Sequence, residues 1–115
     1  LAVFGEPILQ SEGVLITRSG APEPTGFSVF QRRLQSVLVA RTYVMMDYDI
    51  RLEDVERAVE LTPGIESPTV SPLHREGWAA VRAMVPRAAT QRVMDDLYAV
   101  GARGILVTDI LSCRI

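Results

Sequence analysis

Two aspartates separated by one residue, Asp47 and Asp49, lie in a run whose apolar residues alternate with them, so a strand here puts both carboxylates on one face. A carboxylate so placed can accept a charge-assisted hydrogen bond, which contributes roughly 1.5–3 kcal/mol. Asp49 also has a plainer reading as the cap of a following helix, worth ~1 kcal/mol. Further on comes Thr62-Pro63-Gly64-Ile65-Glu66-Ser67-Pro68-Thr69-Val70-Ser71-Pro72-Leu73. A connector this rich in Pro, Ser and Thr offers hydroxyls and backbone groups that no helix has used. The Thr69 hydroxyl can both donate and accept, although plain β-propensity also explains it. His74 reads as a solvated turn residue, because one histidine without neighbouring ligands makes a poor metal site. Cys113 has no activating partner in view and reads as a small buried hydrophobe.

The elements that must position these groups follow from periodicity. Residues 13–17 form a short β-branched run suited to a buried strand, and residues 18–26 are turn chemistry. From Phe27 the apolar residues Phe27, Phe30, Leu34, Val37 and Leu38 recur at helical spacing, predicting an amphipathic helix that ends near Arg41. Val44, Met46, Tyr48 and Ile50 then alternate as a strand. Leu52, Val55, Ala58 and Val59 restore helical spacing until Thr62-Pro63-Gly64 stops it. A second strand spans residues 69–73, marked by Pro72 as an edge. A turn at residues 74–77 leads into a third strand over 78–85. Val93, Leu97 and Val100 share a stripe of the next helix, which Gly101 stops, and a last strand runs from Ile105 to Cys113.

The order βαββαβ over residues 43–115 is the split-βαβ, ferredoxin-like arrangement, an α+β fold with a four-stranded antiparallel sheet covered by helices on one face. The other face lies bare, which favours self-association.

Composition narrows the classes. The chain has 115 residues, 48% of them hydrophobic and 23% charged, as in one globular domain with a short extension. Apolar runs fall short of a membrane span, and no signal peptide is evident. A single cysteine and a single histidine suggest a reducing, cytoplasmic setting and no zinc site. A net charge of -2 supplies no field to attract nucleic acid.

The wording of the segments is more specific. Tyr43-Val44-Met45-Met46-Asp47-Tyr48-Asp49, the run from Thr62 to Leu73, Trp78-Ala79-Ala80-Val81-Arg82-Ala83-Met84-Val85-Pro86, Met94-Asp95-Asp96-Leu97 and Gly101-Ala102-Arg103-Gly104-Ile105-Leu106-Val107-Thr108-Asp109-Ile110 together resemble the C-terminal part of the long-form ATP phosphoribosyltransferases. The resemblance implies a regulatory domain, residues 43–115, that binds L-histidine at contacts between subunits and assembles from dimers into hexamers. It makes residues 1–42 the last strand and linking helix of a catalytic region. It implies Asp49 as a side-chain ligand of the effector, Thr69 as a hydroxyl contact, Ile65 and Ser67 as nearby groups, and Gly104, where the family commonly has alanine, as a main-chain contact. Asp47 is an alternative to Asp49. Leu111 and Ser112 depart from the family pattern, and no role is carried to them.

The same resemblance places catalysis, with magnesium, in the full-length enzyme. The glycine-rich phosphate loop it needs is absent here, so this chain is expected to be inactive alone and to bind no cofactor. Two other functions compete: a pure oligomerisation domain, and an RNA-binding module of the same element order, which lacks base-stacking aromatics on the third strand and positive charge.

Overall fold

The computed structural model describes residues 2–115. Helix α1 (Phe27–Thr42) runs directly into strand β1 (Tyr43–Arg51). Period-two patterning buries Val44, Met46, Tyr48 and Ile50, each 3% exposed or less. Strand β3 (Trp78–Pro86) pairs antiparallel with β1, setting Val44 opposite Val85 and Tyr48 opposite Val81, so the buried residues of both strands share one face. Strand β2 (Thr69–Pro72) lines the outer side of β3, and β4 (Arg103–Asp109) the outer side of β1. The sheet order is β2-β3-β1-β4, and Pro72 falls on an edge strand as its missing N–H requires.

Helices α2 (Val55–Leu61) and α3 (Thr90–Ala99) each follow one 3-10 turn, at Leu52–Asp54 and Arg87–Ala89. They deliver Ala58, Val93 and Leu97 to the core beneath the sheet. Gly101, at φ +103, ends α3. The Ala102 N–H reaches back to the Leu97 carbonyl at 2.9 Å and the Gly101 N–H to that of Tyr98 at 3.1 Å, the paired bonds of a Schellman stop. The expected ferredoxin-like α+β architecture is present.

Three expectations and one alternative reading need correction. Residues 13–17 form no strand, and Val14 and Ile16 are 74% and 89% exposed: a strand needs a ladder partner, and none of the four strands pairs with this segment. In α1 the face turned to the protein is Ser36, Val39 and Ala40, whereas Phe30, Val37 and Leu38 of the apolar stripe are exposed. Continuity with β1 fixes the helix's rotation more strongly than its own amphipathicity. The last strand spans Arg103–Asp109 and stops short of Cys113. There the chain leaves the sheet, and the Cys113 N–H donates to the Ser36 carbonyl at 3.0 Å, leaving the thiol half-buried. Asp49 caps no helix, because β1 continues to Arg51 and the first helical turn starts at Leu52.

Arg87 clasps the junction of these elements. Its Nε donates to the Arg41 carbonyl at 3.0 Å and one terminal nitrogen donates to Asp109 at 2.9 Å. A carbonyl of the last turn of α1 thereby gains a cationic partner.

Candidate functional site

The strand register writes the open face of the sheet as rows. One row runs Thr69, Arg82, Asp47, Leu106; the next runs Ser71, Ala80, Asp49, Arg103. Asp47 and Asp49 therefore do share the face away from the helices, as their spacing predicts. They differ in company. Asp47 accepts from Arg82 Nε at 2.7 Å, with the side chains 29% and 63% exposed. The ion pairs among the described residues are this one, Arg57–Asp54 and Arg87–Asp109, so Asp49 belongs to none.

Asp49 instead faces Gly104. Between Asp47 and Asp49 the β1–β4 register slips by one residue, and Gly104 occupies the bulge at φ +58, the left-handed conformation that such a bulge assigns to glycine. A methyl group on Gly104 would lie 3.6 Å from Asp49 Oδ2. The carboxylate thus stands beside the β4 main chain.

Ile65, Ser67 and Thr69 gather at the opposite edge. Gly64, at φ +70, turns the chain so tightly that a Cβ there would come within 3.3 Å of the Ser67 carbonyl carbon. This turn sets Ile65, Glu66 and Ser67 beside Thr69 along a hollow of about 250 Å³, whose other walls include Met45, Arg82, Met84 and Ile115. A second hollow of about 220 Å³ opens over Ala80, between Thr69, Ser71, Asp47 and Arg82. It exists because alanine leaves space where its row neighbours have longer side chains. Both are smaller than drug-sized pockets, which start at about 300 Å³.

The five predicted site residues therefore form two groups, Asp49 with Gly104 and Ile65 with Ser67 and Thr69. Two strand spacings, roughly 10 Å, separate β2 from β1. Within one copy of the chain, a molecule touching both groups would have to span β3. Sequence reasoning missed Arg82, the cation between them. Its signal was available: Arg82 shares the parity of Ala80 and Met84 on β3, and hence the open face. His74 lies in the turn preceding β3 as expected, and the guanidinium groups of Arg51 and Arg75 lie 5.2 and 4.8 Å from the ring centre of Trp78, cation–π contacts.

Among the described residues, no three His, Cys, Asp or Glu side chains converge to hold a metal ion. No helix among them is long and apolar enough to cross a membrane.

Residues 40–112 match the family described as HisG, C-terminal domain. The chain is 66% identical to an ATP phosphoribosyltransferase of Streptomyces coelicolor, 64% to one of Streptomyces avermitilis and 61% to one of Kocuria rhizophila, in each case over all of its length. It spans only 42%, 42% and 41% of those relatives.

Proposed function

The chain belongs to the HisG C-terminal domain family, and from that premise we propose that it is the effector-sensing domain of an ATP phosphoribosyltransferase. That enzyme joins ATP to phosphoribosyl pyrophosphate, releasing pyrophosphate, in the first step of L-histidine biosynthesis. On this reading the domain binds L-histidine, the end product, and transmits feedback inhibition to a catalytic body, where magnesium serves. Its own chemistry is binding only.

The observation that carries the reading is Asp49: a carboxylate on the open sheet face, beside the β4 main chain at Gly104, in no ion pair among the described residues. A carboxylate next to main chain suits a ligand with cationic and N–H groups. Ser67 and Thr69, across β3 from Asp49, would complete the site from a second copy. Self-association fits the same face, where Leu106 is 56% and Ile65 38% exposed, apolar area that another copy would cover.

The test is thermal unfolding and calorimetric titration with L-histidine. Binding that favours the folded assembly stabilises it by ~2.7 kcal/mol at a hundredfold excess over Kd. Asp49→Asn keeps the shape and removes the charge, so it should weaken histidine by roughly 1.5–3 kcal/mol with little change in the unliganded melting temperature. An equal histidine shift in wild type and variant would remove Asp49 from the site. No shift in wild type, with oligomers intact by sedimentation, would leave a pure oligomerisation domain.

A further inference from the structure

A zwitterionic amino acid presents a carboxylate as well as an ammonium group, and Asp49 can satisfy only the cationic side. Of the arginines at open-face register positions, Arg51 lies over Trp78 and Arg103 over Tyr98, whereas Arg82 borders both hollows. Its orientation is set by Asp47, which accepts from Nε at 2.7 Å. That bond leaves the two terminal nitrogens without a protein acceptor among the described residues, on a side chain 63% exposed. The Ser67 and Thr69 hydroxyls lie along the same hollow, and Glu66 adds an anion to its wall. The hollow thus carries both signs of charge, and its cation is held at one edge with the other edge open.

We propose that Arg82 is a specificity-determining residue of the effector site, its terminal nitrogens taking the α-carboxylate of the amino acid while Asp47 positions the guanidinium. This rests on the effector-binding reading above. A guanidinium offers a planar fork that matches a carboxylate with two parallel bonds. Anchored through Nε, it presents that fork without first having to order itself, which lowers the cost of binding.

The experiment compares L-histidine with L-histidinol, in which an alcohol replaces the carboxylate, by calorimetry on the full chain as wild type, Arg82→Gln and Arg82→Lys. In wild type, histidine should bind roughly 10- to 100-fold more tightly than histidinol, as expected for a charge-assisted bond. Arg82→Gln should weaken histidine by a similar factor and leave histidinol unchanged, so that the discrimination vanishes. Arg82→Lys keeps the charge and loses the fork, and should restore part of the preference. It also supplies the readout if the glutamine variant fails to give native circular dichroism. Undiminished discrimination in either folded variant would overturn the role of Arg82; if Asp49→Asn still weakens histidine, the effector reading survives that failure. Absence of histidine binding to wild type would overturn both.

Discussion

Tyr48 shows how one hydroxyl is accommodated in this core. The residue is 1% exposed, and its phenol is bonded to Thr62 Oγ1 at 2.8 Å, while Thr62 in turn donates to the Ala58 carbonyl at 3.3 Å. With the threonine proton given to Ala58, the phenol is the donor. The chain of bonds ties β1 to the end of α2, where the connector to Ser67 and Thr69 begins. Burial raises the phenol's pKa above its ordinary 10.0, the bond to Thr62 opposing this in part. The unfolded chain therefore releases this proton first as pH rises, and binds fewer protons than the fold above pH 10. The stability contribution is intact below about pH 10 and is lost as pH climbs through the folded value. Urea unfolding between about pH 8 and about pH 11 should show a fall that is shallower in Tyr48→Phe. At neutral pH the same variant should cost about 1 kcal/mol, the net worth of one hydrogen bond.

At the scale of an element, α1 separates what a helix pattern predicts from what its surroundings allow. Its apolar stripe is rotated away from the face that is buried. Ala40 is 1% exposed and Leu38 48%, although leucine has the larger apolar surface. The small residues Ser36 and Ala40, four apart on one face, let the helix lie close to the tail carrying Cys113 and to the junction held by Arg87. Ala40→Leu should therefore destabilise the domain by roughly 1–3 kcal/mol through overpacking. Leu38→Ser, a surface change within this chain, should stay within about 0.5 kcal/mol. Denaturant midpoints of the two variants check this, and the reverse ranking would restore the apolar stripe as the buried face.

At the scale of the molecule, the chain is longer than its core needs. Its radius of gyration is 19.4 Å, against about 13 Å for a compact domain of this length. The excess comes from the segment before α1, where Val3, Phe4, Ile8 and Leu9 are each at least 86% exposed. A segment that makes no core contact adds nothing to the folding equilibrium. Removal of residues 1–20 should leave the thermal midpoint within about 2 °C of the full chain, as followed by far-UV circular dichroism. A larger loss would mean that this segment packs on the domain in solution.

The sequence by itself determined the secondary elements and their order, because the alternation in β1 and β3, the stop at Gly101 and the breaking run Thr62-Pro63-Gly64 are local signals written within a few residues. It also determined which residues of β1 and β3 share the open face, since parity along an unbroken strand leaves no choice, whereas in β4 the bulge at Gly104 shifts the parity between Arg103 and Leu106. Pairing decided the rest. Only the assembled sheet put Arg82 against Asp47 and left Asp49 beside Gly104, because register joins residues 35 positions apart in the first case and 55 in the second, and no local period carries that information. Only the junction with β1 chose the buried face of α1. The run at residues 13–17 stayed out of the sheet for the same reason: β-branched residues confer a propensity for extended chain, but a strand exists only where another strand accepts its hydrogen bonds.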